Sequence, residues 1–373
     1  MAKTTVPRVR DAEAITALLD SPEVSGLVAD LQETRWTGRP GYPIRAMVGV
    51  ALVKAYYALP TWTRTVALVR EHDALRAVLG AAPSIDACYR FTVKLRENAE
   101  RLTECIERVL TALHDEMPEM GQTVAIDGSD LPAFANGQRY LSKGGPERKS
   151  YSDPDASWGH RSAISTRKGG GYYGYKIHAA VCTTTGLPVA WQVETARDSE
   201  LPLVPALLDK LAASGFQPDF AVLDKGYDAA TIYEACEARG IHPIVPLRAT
   251  VGVKAGKAAP PKCDHGSWTF AGSDAKRGAS KWRCPTGECQ PASVWIKADR
   301  LHSLIPRSTE RWHDLYHQRG AVEREFGYLK HEWSMLPLRV RRLPRVRLHV
   351  DLTILARLAT ALAKARQDIP LAA

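Results

Sequence analysis

Two aspartates close short apolar runs. Asp127 follows Val124-Ala125-Ile126, and Asp224 follows Ala221-Val222-Leu223. Each is followed directly or nearly by glycine, as Asp127-Gly128 and Asp224-Lys225-Gly226. An acid on the loop at a strand end stands where α/β sheets carry their sites. The same Asp-Gly pairs also mark ordinary turns. A third acid, Glu323, lies in a stretch patterned as a helix from Tyr316 to Lys330. At about 100° per residue, Tyr316, Arg319, Glu323 and Lys330 fall on a stripe about 60° wide. That stripe carries a phenol, a guanidinium, a carboxylate and an ammonium. The cations could grip phosphates and the acid could hold a metal. It could equally be a solvated face with an Arg319–Glu323 pair four residues apart. Glu325, two residues on, points about 200° away from the stripe and is the weaker candidate.

The elements that must position these residues follow from punctuation and periodicity. Residues 1 to about 118 read as helical. Pro43 opens a helix on which Ile44, Val48, Leu52, Tyr56 and Leu59 recur at helical spacing. Pro60-Thr61 ends it and starts another toward Val69. Pro83-Ser84 begins a third, running to Arg96, and a fourth covers Glu100 to Glu116. The pattern changes at residue 121. A β-branched run ends at Asp127, and a polar, basic stretch extends from Gln138 to Gly171. Tyr172 to Val193 reads as a hairpin turning at Thr185-Gly186. A helix over Leu201 to Ala213, a strand over Phe220 to Leu223, a helix over Ala229 to Arg239 and a strand over His242 to Leu247 follow. Residues 249 to about 305, rich in Gly, Lys, Pro and Cys, read as an inserted module. Helix resumes near Ser308 and runs to about Trp333. A last helix covers Arg347 to Ala365, with Leu352, Leu355, Leu358 and Leu362 on its packing face. This order is that of a mixed sheet flanked by helices.

The chain has 373 residues, with 50 Lys and Arg against 41 acids and a net charge of +9. That surplus suits a polyanionic partner, and it also suits simple solubility. The apolar stretch Ile44 to Leu59 is too short to span a bilayer and is broken by Arg45 and Lys54. The first residues lack the apolar core of a secretory signal. Seven scattered cysteines do not form a secreted disulfide scaffold, so a reducing cytoplasm is expected.

The spacing Tyr-x2-Arg-x3-Glu-x6-Lys, filled by Tyr316, Arg319, Glu323 and Lys330, resembles the signature of bacterial insertion-sequence transposases with an RNase H-like DDE catalytic domain. Ala125-Ile126-Asp127-Gly128 is similar to that family's first aspartate motif. Tyr173 through His178 is similar to the following strand, and Asp224 through Asp228 to the second aspartate motif. Gly38 through Pro43 with the helix after it, then Tyr89-Arg90-Phe91, resembles the helical domain before the core. The resemblance spans residues 36 to 362. It implies an α/β catalytic core of RNase H-like type, preceded by an all-helical N-terminal domain and interrupted by a small module. The division expected is 1–118 helical and DNA-binding, 119–248 first part of the core, 249–306 insertion, and 307–373 catalytic helix and C-terminal helices.

The resemblance further implies Asp127, Asp224 and Glu323 as catalytic metal ligands, with Asp127 bridging. They would hold two Mg²⁺ (or Mn²⁺) ions, because hard cations prefer carboxylate oxygens and keep several waters. Tyr316, Arg319 and Lys330 would contact phosphates beside the cut. Arg339, Arg341 and Arg342, in a run continued by Arg345 and Arg347, would bind the DNA backbone. The activity implied is binding of terminal inverted repeats in double-stranded DNA, phosphodiester cleavage at the element ends, and joining of the new 3′-hydroxyls to target DNA. A dimer on DNA, no membrane, and a bacterial cytoplasmic location go with it. A catalytically idle repressor and a structure-specific nuclease are the alternatives on the same fold.

Other motifs carry less. Cys263, His265, Cys284 and Cys289 could bind zinc, but C-x-H then C-x4-C is irregular for a zinc ribbon, and ordinary reduced cysteines are expected. Trp268, Trp282 and Trp295 in the insertion are read as core, although some relatives use an insertion aromatic to hold a flipped base. His160 and His178 are read as packing or hydrogen-bonding residues. Val251 to Lys257 is one residue short of a phosphate loop and is followed by Ala258. No G-x-S-x-G elbow occurs.

Overall fold

The computed structural model describes residues 12–34, 41–161, 168–250 and 256–370. Gly38 to Pro40 and Val251 to Lys254, which figured in the sequence reading, lie outside the described residues.

Seven helices lead the chain: α1 (Ala12–Asp20), α2 (Pro22–Glu33), α3 (Ile44–Tyr56), α4 (Trp62–Glu71), α5 (Asp73–Leu79), α6 (Ile85–Glu97) and α7 (Ala99–Glu116). Their starts are set by side-chain caps. Ser21, Thr61 and Ser84 each accept a backbone N–H from the first turn of α2, α4 and α6. α3 is buried around nearly its whole circumference, from Ile44 to Ala55. A helix apolar all round belongs inside a core.

The central sheet contains β1 (Thr123–Pro132), β2 (Ser157–Arg161), β3 (Gly170–Cys182), β4 (Pro188–Thr195), β5 (Phe220–Leu223) and β6 (His242–Ile244). β1 pairs antiparallel with β3 and parallel with β5, and β5 pairs parallel with β6. β3 is long enough to take two antiparallel partners on one edge, β2 along its first half and β4 along its second. The path β4-β3-β1-β5-β6, antiparallel then parallel, with helices packed on it, is an RNase H-like arrangement. α8 (Leu203–Ala213) and α9 (Ala230–Glu237) provide the crossovers around β5.

After β6 comes the insertion. It contains a two-residue-stranded hairpin, β7 (Lys262–Cys263) with β8 (Gly266–Ser267). Beyond it lies a three-stranded antiparallel sheet of β9 (Thr269–Asp274), β10 (Ala279–Arg283) and β11 (Ser293–Lys297). The chain then returns through α10 (Glu310–His317), α11 (Gly320–Glu332) and α12 (Leu343–Ala365).

α12 lies between the N-terminal helices and β4 and is buried on several faces. One hydrophobic core runs from Ala12 through the sheet to Leu362, and none of the described insertion residues joins it. A small second cluster of Val222, Ile244, Ile305 and Trp312 seats α10 against β5 and β6.

Three expectations change. β1 does not stop at Asp127 but continues to Pro132, because β3 goes on pairing after β5 has ended. The helix expected from Ser308 to Trp333 is two helices, α10 and α11, broken at Gln318-Arg319. Tyr316 and Glu323 therefore do not share one continuous helical stripe. Trp295 is 41% exposed on the outer strand β11, while Trp282 is buried as expected. Among the described residues no helix is long and apolar enough to cross a membrane.

Candidate active site

The parallel register that pairs Ile126 with Leu223 puts Asp127 and Asp224 next to each other, one on β1 and one just past β5. Each side chain is fixed by its own backbone. Gly128 N donates to Asp127 Oδ1 at 2.7 Å, and Gly226 N donates to Asp224 Oδ1 at 2.6 Å. The second bond caps a short 3-10 turn over Lys225–Tyr227. The glycines serve close approach. A methyl on Gly226 would stand 2.6 Å from Asp224 Oδ1, and one on Gly128 would stand 3.0 Å from His178 Nδ1. Gly128 lies inside β1, so the Asp127-Gly128 pair is not a turn.

Glu323 comes from the first turn of α11, and its side chain is 58% exposed. Arg319, at the start of the same helix, joins it to the strands. Its Nη1 donates to Asp127 Oδ2 at 3.3 Å and its Nη2 to Glu323 Oε1 at 2.5 Å. One guanidinium thus spans two of the three acids, and the third stands beside the first. Lys330, two turns further along α11, reaches down to β1. Its Nζ donates to Ser129 Oγ at 2.8 Å and to the Asp130 carbonyl at 2.6 Å. Tyr316 stacks on Trp312, with centroids 5.1 Å apart, over the second hydrophobic cluster. Glu325 faces the other way. It is buried and holds Arg357 of α12 at 3.1 Å.

Behind the two aspartates stands a layer drawn from the Tyr173–His178 and Asp224–Asp228 blocks together with Glu200, which the sequence reading did not name. Lys176 Nζ donates to Glu200 Oε1 at 2.7 Å, and Tyr227 hydrogen-bonds the same carboxylate. His178 is buried in this layer, level with Gly128 in the β1–β3 register. Burial holds its imidazole neutral, with a pKa lowered to about 4. Burial works to raise the Glu200 carboxyl, but the hydrogen bond and charge of Lys176 outweigh it and bring it below its ordinary value. At Asp127, burial pushes the carboxyl up to about 7; the Gly128 N–H opposes this and the charge of Asp224 adds to it. Asp127 and Asp224 side by side, with Arg319 linking Asp127 to Glu323, offer hard carboxylate oxygens of the kind a divalent cation prefers.

The arginine run lies beyond the far end of β1. Arg339 and Arg341 hold their guanidinium groups over the ring of exposed Phe134, at 5.1 and 5.0 Å. Arg342 is exposed, and its backbone N–H is held by Asp153 Oδ1 at 2.9 Å. Arg347 is tied instead to Glu194 at 2.8 Å. Of the acids, the sequence reading missed Glu200 and named Asp228 only as part of the second aspartate motif, without a role. The Asp228 side chain is fully buried and takes both Arg300 nitrogens, at 2.7 and 2.6 Å, fastening the end of the insertion to the core.

An RNase H-like sheet with acids on adjacent central strands and a third on the following helix defines a class of nucleic-acid-processing cores. The chain belongs to one family of them: residues 118–359, more than half of its length, match the transposase DDE domain family. This is a family of DNA-cleaving, strand-transferring enzymes that work with divalent metal ions. No curated protein matches the chain. Among solved structures it is similar to the cryo-EM structure of a piggyBac transposase synaptic complex with hairpin DNA. The TM-score is 0.43 at 12% identity, covering 98% of this chain and 78% of that one. At that distance no residue is carried across.

Proposed function

We propose that this chain is the transposase of its own mobile element. It would bind terminal inverted repeats, hydrolyse the phosphodiester at each element end, and join the new 3′-hydroxyl to target DNA. Asp127, Asp224 and Glu323 would together hold two Mg²⁺ or Mn²⁺ ions, with Asp127 between them. The observation that carries this reading is the Arg319 bridge. A helix and a strand distant in sequence are held so that the carboxylates of Asp127 and Glu323 share one guanidinium, with Asp224 alongside.

Divalent ions held there would activate the attacking oxygen and stabilise the leaving one. The protein's own part is position. Gly128 and Gly226 fix the carboxylate rotamers of their neighbouring aspartates. Lys330 clamps α11 to β1, so Glu323 stays in reach. Arg319 offsets repulsion between Asp127 and Glu323 and could turn to a scissile phosphate. Tyr316, Arg339, Arg341 and Arg342 complete the proposed DNA-contacting set, on a backbone-reading rather than base-reading footing. Lys330, expected from the sequence to contact phosphate, is instead taken up by Ser129 and Asp130 as the clamp. Two element ends must meet, so a dimer on DNA is part of the proposal.

The test is Mg²⁺-dependent cleavage of DNA carrying the flanking inverted repeats by wild type, Glu323→Ala and Glu325→Gln. Loss of cleavage in Glu323→Ala with DNA binding intact, and near-normal cleavage by Glu325→Gln, is the expected result. Equal cleavage by wild type and Glu323→Ala would remove Glu323 from the site. Specific binding without cleavage by any of the three would make the chain an idle relative. Cleavage without strand transfer would make it a nuclease.

A further inference from the structure

The insertion contains a second cluster of metal-binding side chains, separate from the carboxylates. Cys263 ends β7, His265 sits in the β7–β8 turn, and Cys284 and Cys289 flank the loop after β10. Their ligand atoms all lie within 4.8 Å of one another. Cys263 Sγ is 3.8 Å from Cys284 Sγ, and His265 Nδ1 is 3.7 Å from Cys284 Sγ and 3.5 Å from Cys289 Sγ. A tetrahedral zinc with Zn–S of ~2.3 Å and Zn–N of ~2.0 Å requires ligand-to-ligand edges of about 3.8 Å between sulfurs and about 3.6 Å from sulfur to nitrogen. The three measured edges agree with those values. A disulfide does not account for them, since its sulfurs would stand ~2.05 Å apart.

The outer layer agrees as well. The far nitrogen of the same imidazole, His265 Nε2, lies 3.1 Å from Glu288 Oε2. A carboxylate there fixes the proton on Nε2 and leaves the Nδ1 lone pair facing the thiols, the arrangement common to zinc-bound histidines. Thr286 Oγ1 lies 3.5 Å from Cys284 Sγ. Gly266 and Gly287, both at positive φ (116° and 78°), let the two loops turn inward.

The module also needs a staple. Among described residues 256–298 only Ala279, Ser280, Trp282 and Cys284 are buried. So few apolar groups do not stabilise a three-stranded sheet by themselves, and small modules of this kind are often held by metal.

We propose that Cys263, His265, Cys284 and Cys289 form a structural zinc site that folds the insertion. With four protein ligands it is closed to substrate, so its work is architectural. The face it would hold in place carries exposed Trp295, with Arg277 4.8 Å and Lys281 5.7 Å from its ring centre.

The test is metal content of the full chain, purified under reducing conditions without chelators and read by plasma mass spectrometry. The expected result is about one zinc per chain. The Co²⁺-exchanged protein should show sulfur-to-cobalt charge transfer and the intense visible bands of a tetrahedral ion. Cys289→Ser should lower zinc retention on the order of tenfold or more, whereas Asp127→Asn with Asp224→Asn should keep it. Zinc well below one per chain after incubation with equimolar Zn²⁺ would overturn the proposal. So would a cobalt spectrum without thiolate bands, or retention lost in the aspartate double variant. The cobalt spectrum reads the ligand set on the wild type, so a misfolded Cys289→Ser does not spare the proposal.

Discussion

Single atoms decide much at the carboxylates. Gly226 has an ordinary φ, so alanine is tolerable to the backbone there, but its methyl would meet Asp224 Oδ1 at 2.6 Å. The carboxylate must then swing away from the Gly226 N–H that holds it. Misplacement of a reacting group by ~1 Å can cost about 100-fold in rate. Gly226→Ala is therefore expected to lose at least roughly tenfold in cleavage while its melting temperature stays close to wild type. Parallel cleavage assays and thermal melts check this, and an unimpaired rate would mean that Asp224 need not keep this rotamer. The neighbouring placement of Asp127 and Asp224 was foreshadowed in the sequence because each follows a short apolar run of the kind that forms a buried strand. Lys176 and Tyr227 fell within motif blocks but had no role assigned, and Glu200 was not legible at all, because the three meet only when segments distant in sequence fold together. The zinc ligands lay between these cases. Their types were visible, but the irregular C-x-H and C-x4-C spacing concealed that two short hairpin turns bring them to one point.

At the scale of elements, α11 is a two-faced helix. One face carries Glu323 and Lys330 toward β1, and the opposite face buries Glu325 against Arg357 of α12. Burial pushes the Glu325 carboxyl up to about 7, against the pull of Arg357. Such a pair stabilises little in itself, yet removing one partner leaves a buried charge alone, at a cost of about 3–5 kcal/mol. Arg357→Met is expected to lower stability by an amount in that range, and Glu325→Leu with Arg357→Met to recover most of it. Denaturant titration of the single and double variants measures both. Additive losses would show that the two side chains are not energetically coupled and would overturn this account of the pair. The existence of α11 was readable from its periodicity, but its beginning was not. The break at Gln318-Arg319 sits where Thr183 Oγ1 donates to Gln318 Oε1 at 2.7 Å, a contact between segments far apart in sequence. The four residues Tyr316, Arg319, Glu323 and Lys330 are therefore not joined by one shared helical stripe. Arg319 lies at the turn and reaches both ways.

At the scale of the whole molecule, three exposed arginines, Arg339, Arg341 and Arg342, gather on one segment, the first two around Phe134 just beyond β1. If these three contact phosphates, the triple alanine variant should bind DNA more weakly and flatten the slope of log affinity against log salt by about 2–3 units, at ~0.9 per phosphate. Binding measured from low to moderate salt decides this, and an unchanged slope would place the DNA elsewhere. The overall architecture was legible as a helical region, an α/β core and an insertion. What the sequence concealed is how the chain closes. α12, near the C-terminal end, fills the space between α3, α7 and β4, and Arg366 just beyond it pairs with Glu23 of α2 at 2.7 Å. The first helices therefore cannot cover their apolar faces until the ribosome has delivered residues beyond 340. A copy cut short by a frameshift or an early stop before Leu343 would leave those faces in water, a substrate for proteases and chaperones.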